Sequence, residues 1–454
     1  MSRRNKGSIA PLLIMLAVVG GSLFIYFSSI FERNAPEITM QTNGYWNLKK
    51  PLAIAISDET GIKSYKITMK TDKEEKILQY EQLISPQNLL NLEVKPPRST
   101  HSIKDKNIEI IVEANDISKW NMLSGNSSRI VFKLIVDKRR PKLSILANSY
   151  KISRGGSALV IFKAEDENIE KLYIQGNDEK EFTPQPFYKD GYFISLIAWP
   201  VVDEEFKATI VATDKAGNIS KSYIPLYLKQ KNYKISKIKL SDKFLKGKIA
   251  ELAEELVETE GVDDSLEQFK IINEDVRAKN EALIHELTSK VRKDKIKKFK
   301  MNKMYPLKNA QVVAHFGDHR KYYYDGEYIS ESYHLGLDLA SNAMANIKPQ
   351  NGGEVVFSED NGLYGNMLAI AHGLGLYTIY GHCSSFKVNQ GDMTKKRAVI
   401  ANTGKSGYAM GDHLHFGVLV QGIEVRPQEW MDKQWIKLNI SDVIKSARRI
   451  IDRD

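Results

Sequence analysis

Cysteine is almost missing from this sequence: Cys383 is the only one in 454 residues. No intrachain disulfide is possible, so packed cores or a metal must hold the folded parts together. Also missing is the helix-borne His-Glu-x-x-His pattern, which excludes the usual glutamate base of that metal-site class. No motif interleaves aromatic and basic residues, and this argues against nucleic acid as a partner despite a net charge of +10. That excess suits a polyanionic surface, and charge alone neither names the surface nor rules out a simple role in solubility. With 42% hydrophobic and 27% charged residues the composition is that of a folded chain, long enough for two to four domains.

Charge is missing in one place where its absence is informative. Residues Ile9 to Ile30 carry no charged side chain over 22 positions, a length that spans about 33 Å as a helix. Arg3, Arg4 and Lys6 precede the run, and no Ala-x-Ala cleavage site follows it. A retained anchor in the cytoplasmic membrane through residues 9–30 is expected rather than a removed signal peptide. The positive-inside rule then leaves residues 1–32 as cytoplasmic tip and anchor, with everything later outside the cytoplasm.

The expected fold is multidomain and mainly β. Residues 33–232 read as short alternating runs broken by Gly, Asn, Asp and Pro. A weak repeat runs through them. IKSYKI (Ile62 to Ile67) after Asp58 resembles IEKLYI (Ile169 to Ile174) after Asp166, and IIVEANDISKWN (Ile110 to Asn121) resembles TIVATDKAGNIS (Thr209 to Ser220). Two tandem immunoglobulin-like β-sandwich modules, 33–138 and 139–232, explain the repeat. The simpler alternative is one larger β domain. From Leu240 the apolar period becomes about 3.6. Leu245, Ile249, Leu252 and Leu256 form one stripe, and Phe269, Ile272, Val276, Leu283 and Leu287 a second, with Gly261 between. This predicts a helical connector over 240–300, ending in the basic run KVRKDKIKKFKMNK (Lys290 to Lys303), which reads as a solvated face or a grip for an acidic polymer. Strand-like runs return over 301–438, and the tail 439–454 reads as helical.

Seven of the nine histidines lie between 311 and 415: His315, His319, His334, His372, His382, His413 and His415. In GDHLHFG (411–417) a strand would put His413 and His415 on one face, with Leu414 and Phe416 on the other. In YHLGLDLA (333–340) His334 and Asp338 are four apart. Fully extended they would be separated by about 13 Å. Sharing one ion therefore requires a bend, expected at Gly336, whose backbone tolerates unusual dihedrals. His334, Asp338 and one member of the His-Leu-His pair make the three N/O ligands of a zinc site with an open position. The other member and His382 remain for proton transfer and oxyanion stabilisation. The sequence pattern alone does not decide which histidine of the pair binds.

The segments YHLGLDLA, GLYGNMLAIAHGLGLYTIYGH and GKSGYAMGDHLHFGVLVQGIEVRP, in that order, resemble the LytM/lysostaphin-type zinc metallopeptidase domain over roughly 305–435. The resemblance implies a small antiparallel β domain holding one Zn2+ by His334, Asp338 and His415, with His382 and His413 as the catalytic pair. It also implies peptidoglycan as substrate. Cys383 stands where leucine is usual; strand alternation turns it away from His382 and predicts a buried side chain rather than a fourth ligand. His372 is expected to pack near a turn, His315 and His319 near the groove, and His101 and His285 on the surface.

Two functions follow. The first is a peptidoglycan hydrolase, a D,D-endopeptidase with carboxypeptidase activity as the near alternative; the resemblance also allows a form held latent by its N-terminal region. The second is a non-hydrolytic regulator that binds and activates another wall enzyme; the complete ligand set speaks against it. With no wall-sorting signal or wall-binding repeat, the expected place is the inner membrane, single-pass, with the C-terminal region in the periplasm. The β modules are expected to meet envelope partners.

Overall fold

The computed structural model describes residues 9–100, 103–177 and 180–454; Arg3, Arg4, Lys6 and His101 lie outside the described residues. The apolar run forms a helix, Ala10–Phe27, with Pro11 in its first turn, where a missing N–H costs nothing. None of its residues is buried, and by length and composition it is able to cross a membrane.

The described chain falls into two compact units. One holds the chain up to Arg140 with the short returns Asn168–Glu170 and Thr213–Ile219; the other holds Pro141–Glu167, Lys171–Ala212 and Ser220–Asp454. In the first, six strands share one hydrogen-bonded set, and its long member Leu52–Lys70 changes phase midway. Leu52, Ile54 and Ile56 face the core, then Tyr65, Ile67 and Met69 do. The slip occurs where Asp58 Oδ1 accepts from the backbone N–H of Thr60 (2.9 Å) and Gly61 (2.8 Å), with Gly61 at φ +115°. The first half then pairs with Glu37–Met40 and the second with Asn107–Asp116. This folds the strand set around one core containing Trp46, Ile110 and Leu134.

The repeat seen in the sequence has a physical counterpart. Asp116 closes its strand by accepting from the N–H of Asn126 (2.7 Å) while Asn126 Nδ2 donates to its other oxygen (2.8 Å). Asp214 treats Asn218 the same way, at 2.8 and 2.9 Å. The second β module has two four-stranded sheets, one built from Glu181–Phe182, Ile169–Gln175, Thr209–Asp214 and Ile219–Tyr223, the other from Gln185–Pro186, Tyr192–Ala198, Ser157–Glu165 and Lys142–Asn148. Strand Ser157–Glu165 is buried on both faces. Its outer face is covered by the helix Asp442–Ile451, which buries Val443, Ile444, Ala447 and Ile451.

Two helical stretches follow, interrupted by π-type turns and separated at Gly261 (φ +77°). They pack against the C-terminal sheet through Leu245, Ile249, Phe269, Ile272 and Val276. The second stripe departs from expectation at its end: Leu283 is 36% exposed and Ile284 is fully buried. Asn280 sets this phase, because its Oδ1 accepts from the N–H of Leu363 at 2.9 Å. The buried face therefore steps Val276, Asn280, Ile284, Thr288. His285, expected on the open surface, is half-buried with Nε2 3.0 Å from Glu424.

The C-terminal domain centres on an eight-stranded sheet whose neighbours run Gln311–Ala314, Leu337–Ala340, Leu414–Val420, Leu376–Gly381, Asn366–Ala371, Gly353–Asp360 and Met393–Thr394, with Ile423–Val425 returning on Leu414–Val420. The second β module docks on it through buried polar groups. Gln421 Nε2 donates to Leu196 O (3.1 Å) and Ser195 Oγ (3.2 Å), and Glu429 accepts from the N–H of Ser157 at 3.1 Å. Burial pushes the Glu429 carboxyl up to about 7, against the opposing pull of the Ser157 bond and Arg426. The folded protein therefore binds this proton more tightly than the unfolded chain. The associated stability is fully present below the ordinary value of 4.5 and lost as pH rises through about 7. Glu429→Gln should remove that loss: the urea-unfolding stability of wild type relative to the variant should fall by about 3 kcal/mol between pH 5 and pH 8. A pH-independent difference would contradict the assignment.

Candidate active site

Strand register brings the site together. Asp338 is the cross-strand partner of His415, and His415 in turn faces Gly381 on its other side. One residue past Gly381 the chain turns at His382, whose φ of +60° is unusual for a side chain of this kind. Its N–H donates to Tyr364 O at 2.8 Å, fixing the turn. Between strands Glu327–His334 and Leu337–Ala340 the chain bends at Gly336. His334 Nε2 consequently lies 3.0 Å from Asp338 Oδ1, not the 13 Å or so of an extended segment. The reason for glycine is space rather than dihedral freedom: a Cβ at 336 would sit 2.5 Å from His415 Cε1 and Nε2.

His334 Nε2, Asp338 Oδ1 and His415 Nδ1 are mutually 2.9 to 3.2 Å apart. Among the described residues three groups of side chains bring donor atoms close enough for a metal ion; this is the one that contains histidine, and the other two are all carboxylate. Burial opposes ionisation of Asp338, but hydrogen bonds from His334 and His415 outweigh it and hold its carboxyl well below the usual range. His334 Nδ1 faces the carbonyl oxygen of His315 at 2.9 Å. A carbonyl only accepts, so Nδ1 carries a proton, and Nε2 is the atom that faces Asp338 and His415. Two imidazole nitrogens and a carboxylate oxygen at this spacing fit the donor preference of zinc.

His382 and His413 stand beside this trio. Their ring centroids are 4.7 Å apart, and His382 lies 6.0 Å from His415. Each turns Nδ1 to a backbone carbonyl, His382 to Ser406 O (2.8 Å) and His413 to Gly411 O (2.7 Å). Among the described residues Nε2 of each ring makes no hydrogen bond, that of His413 lying 3.8 Å from Asp338 Oδ1. Burial, reinforced by His415 and His413, pushes His382 down to about 3, so it stays neutral at working pH.

All five residues border one cavity of about 590 Å³. Its other walls include Tyr364, Tyr408 and Tyr333, and also Ile238 from the strand Ile235–Lys239, Leu240 just after it, and Phe244 and Arg277 from the helical stretches. Sequence reasoning missed these. Tyr364, its ring 5.2 Å from His415, stands inside the quoted motif GLYGN, but nothing in its spacing marked it. His315 acts through its carbonyl, which no side-chain pattern reveals. His319 stacks on Tyr333 at 4.3 Å. His372 is buried between Gly352 O (2.9 Å) and Thr378 Oγ1 (2.8 Å), a packing role as expected. Cys383 is buried, its thiol pushed up to about 12 by burial, and donates to Tyr380 O.

The tight fit at Gly336 is testable. Gly336→Ala should force the His415 ring aside and weaken zinc binding, read by competition with a chelating dye, by roughly tenfold or more. The circular dichroism should be unchanged; unaltered zinc affinity would show that His415 is not positioned by this contact.

Residues 332–427 match Peptidase family M23. Stage II sporulation protein Q of Bacillus subtilis (strain 168) is 33% identical over 116 residues, 25% of this chain and 39% of that protein. DD-carboxypeptidase/endopeptidase Mpg of Neisseria meningitidis serogroup B is 33% identical over 94 residues, 21% of this chain and 22% of that protein. Peptidoglycan DD-endopeptidase ShyB of Vibrio cholerae is 32% identical over 119 residues, covering 26% and 27%. The chain thus spans at most 39% of the length of these curated relatives. Among solved structures, the catalytic domain of lysostaphin from Staphylococcus simulans aligns over 27% of this chain and 92% of that one, at 23% identity and a TM-score of 0.23. With this family match resting on the stretch that carries all five site residues, the chain bears a LytM-type domain of peptidase family M23 at its C-terminal end.

Proposed function

We propose that the protein is a zinc-dependent peptidoglycan hydrolase, a D,D-endopeptidase on peptide cross-links. The observation that carries this reading is the convergence of His334, Asp338 and His415 beside two histidines that turn Nδ1 to backbone carbonyls. The three ligands would hold one ion, which when bound lowers the pKa of a coordinated water and polarises a carbonyl. His382, kept neutral by burial, is suited to accept the water proton. His413, with Nδ1 held by Gly411 O, would hydrogen-bond the oxygen of the scissile carbonyl as charge develops there in the form that carries a proton on Nε2 as well. The exposed apolar helix Ala10–Phe27 is the proposed anchor, which would keep the domain outside the inner membrane, in the periplasm. A non-hydrolytic regulator would have no use for the complete set.

The same reading includes latency. Leu240 and Phe244 close one side of the cavity, with the Phe244 ring 6.1 Å from Tyr408. A substrate peptide entering from that side would have to displace them, so the helical stretches after Leu240 would act as a cover.

Two measurements test these points. Wild-type protein loaded with zinc should release peptide fragments from purified peptidoglycan, and His415→Ala should lose both the zinc and the release; a variant keeping both would remove the ligand assignment. Phe244→Ala should raise the cleavage rate several-fold by loosening the cover, whereas an unchanged or lower rate with intact zinc binding would remove the latency but leave the hydrolase reading standing.

A further inference from the structure

A second cavity, of about 540 Å³, opens on the C-terminal domain away from the histidines. Four separate segments form it: the end of the basic run at Lys300 and Lys303, the loop at Gln350, the loop at Lys396 and Arg397, and the helical region with Lys433 and Lys437. Six cationic side chains thus line one space, and no carboxylate lines it. Lys437 has a partner, Asp442 at 2.7 Å. Among the described residues the other five have no ion pair. Like charges gathered in one concavity repel one another unless an anion enters, and a concave wall focuses their field.

The backbone adds an independent sign. Arg397 adopts φ +64°, a region that costs a residue with a side chain about 1 kcal/mol or more. It is held there by its N–H, which donates to Pro349 O at 2.6 Å. The effect is to keep its side chain on the cavity wall beside Lys396.

We infer that this cavity is a binding site for a multivalent phosphate group. The choice of phosphate rests on the number of charges: six cations around one space match a group with several charged oxygens better than the single charge of a carboxylate, and lysine and arginine both bind phosphate oxygens. Such charges arranged around a pocket suit a tetrahedral, multiply charged oxyanion. The group is either a lipid headgroup phosphate or a soluble pyrophosphate-like anion, and the two sources share this chemistry.

The test uses the full chain in phosphatidylcholine nanodiscs, titrated with inorganic pyrophosphate by calorimetry. A saturable heat that weakens with added salt is expected. Lys396→Gln with Arg397→Gly should reduce the affinity roughly tenfold or more, and the glycine accepts the backbone conformation at 397. Lys433→Gln with Lys437→Gln, on a different segment, should do the same, with the circular dichroism of both variants unchanged. Discs containing phosphatidylglycerol separate the sources: competition with pyrophosphate in wild type supports a lipid headgroup, and no competition supports a soluble anion. Absence of saturable binding, or binding that neither variant weakens, overturns the site. The zinc-binding and cleavage tests above are independent of this outcome.

Discussion

The ionised carboxylate of Asp338 is the group around which the C-terminal domain is arranged. A buried carboxylate without partners costs several kcal/mol, and here the debt is settled by His334 and His415 at 3.0 and 2.9 Å. Meeting that condition fixes much else. His415 must lie directly across the sheet from Asp338, the chain must bend between His334 and Asp338, and residue 336 must lack a side chain to let the His415 ring in. The carbonyl of His315 then has to be near enough to hold His334 in one tautomer. A cation at the centre relieves the remaining mismatch, because two imidazole nitrogens 3.2 Å apart otherwise compete for a proton.

The stretch from Leu240 onward serves two purposes with the same residues. Leu240 belongs to the core between helices and sheet and also walls the histidine cavity, and Phe244 packs against that core. Moving them to admit a substrate exposes apolar surface at about 1.5 to 3 kcal/mol per large side chain. Two such side chains would hold an open form at about 0.6% or less, down to roughly 0.004%. Stability of the covered form and access to the site are therefore opposed quantities in the proposed latent enzyme.

Much of this was legible from residue order. Period two placed His413 and His415 together, a four-residue spacing demanded a bend at Gly336, and the change of period at Leu240 marked the helices. The physical cause at Gly336 was not legible, because the contact that requires glycine comes from a strand almost eighty residues away, and pairing register is invisible locally. The same limit explains Ile284 taking the place of Leu283: the phase is set by Asn280 binding the backbone of Leu363. His285 was read as exposed because its partner, Glu424, is brought to it by tertiary packing alone. Tyr364 and Arg277 became visible at the cavity for similar reasons. The repeated aspartates were the opposite case. Asp116 and Asp214 both stand inside the runs that local sequence aligned, although their asparagine partners lie ten and four residues onward and Asn126 falls beyond the first run.

The helix Asp442–Ile451 covers a β module that precedes it by most of the second unit. Ser149 Oγ donates to Asn439 O across 290 residues of sequence. During synthesis the strands Lys142–Asn148 and Ser157–Glu165 emerge early, yet the surface that completes their burial arrives only after the whole C-terminal domain has been made. Contacts of such separation form late and slowly. The second module therefore waits with an apolar sheet face bare, and its aggregation hazard during biogenesis is set by the time the ribosome needs to reach the closing helix.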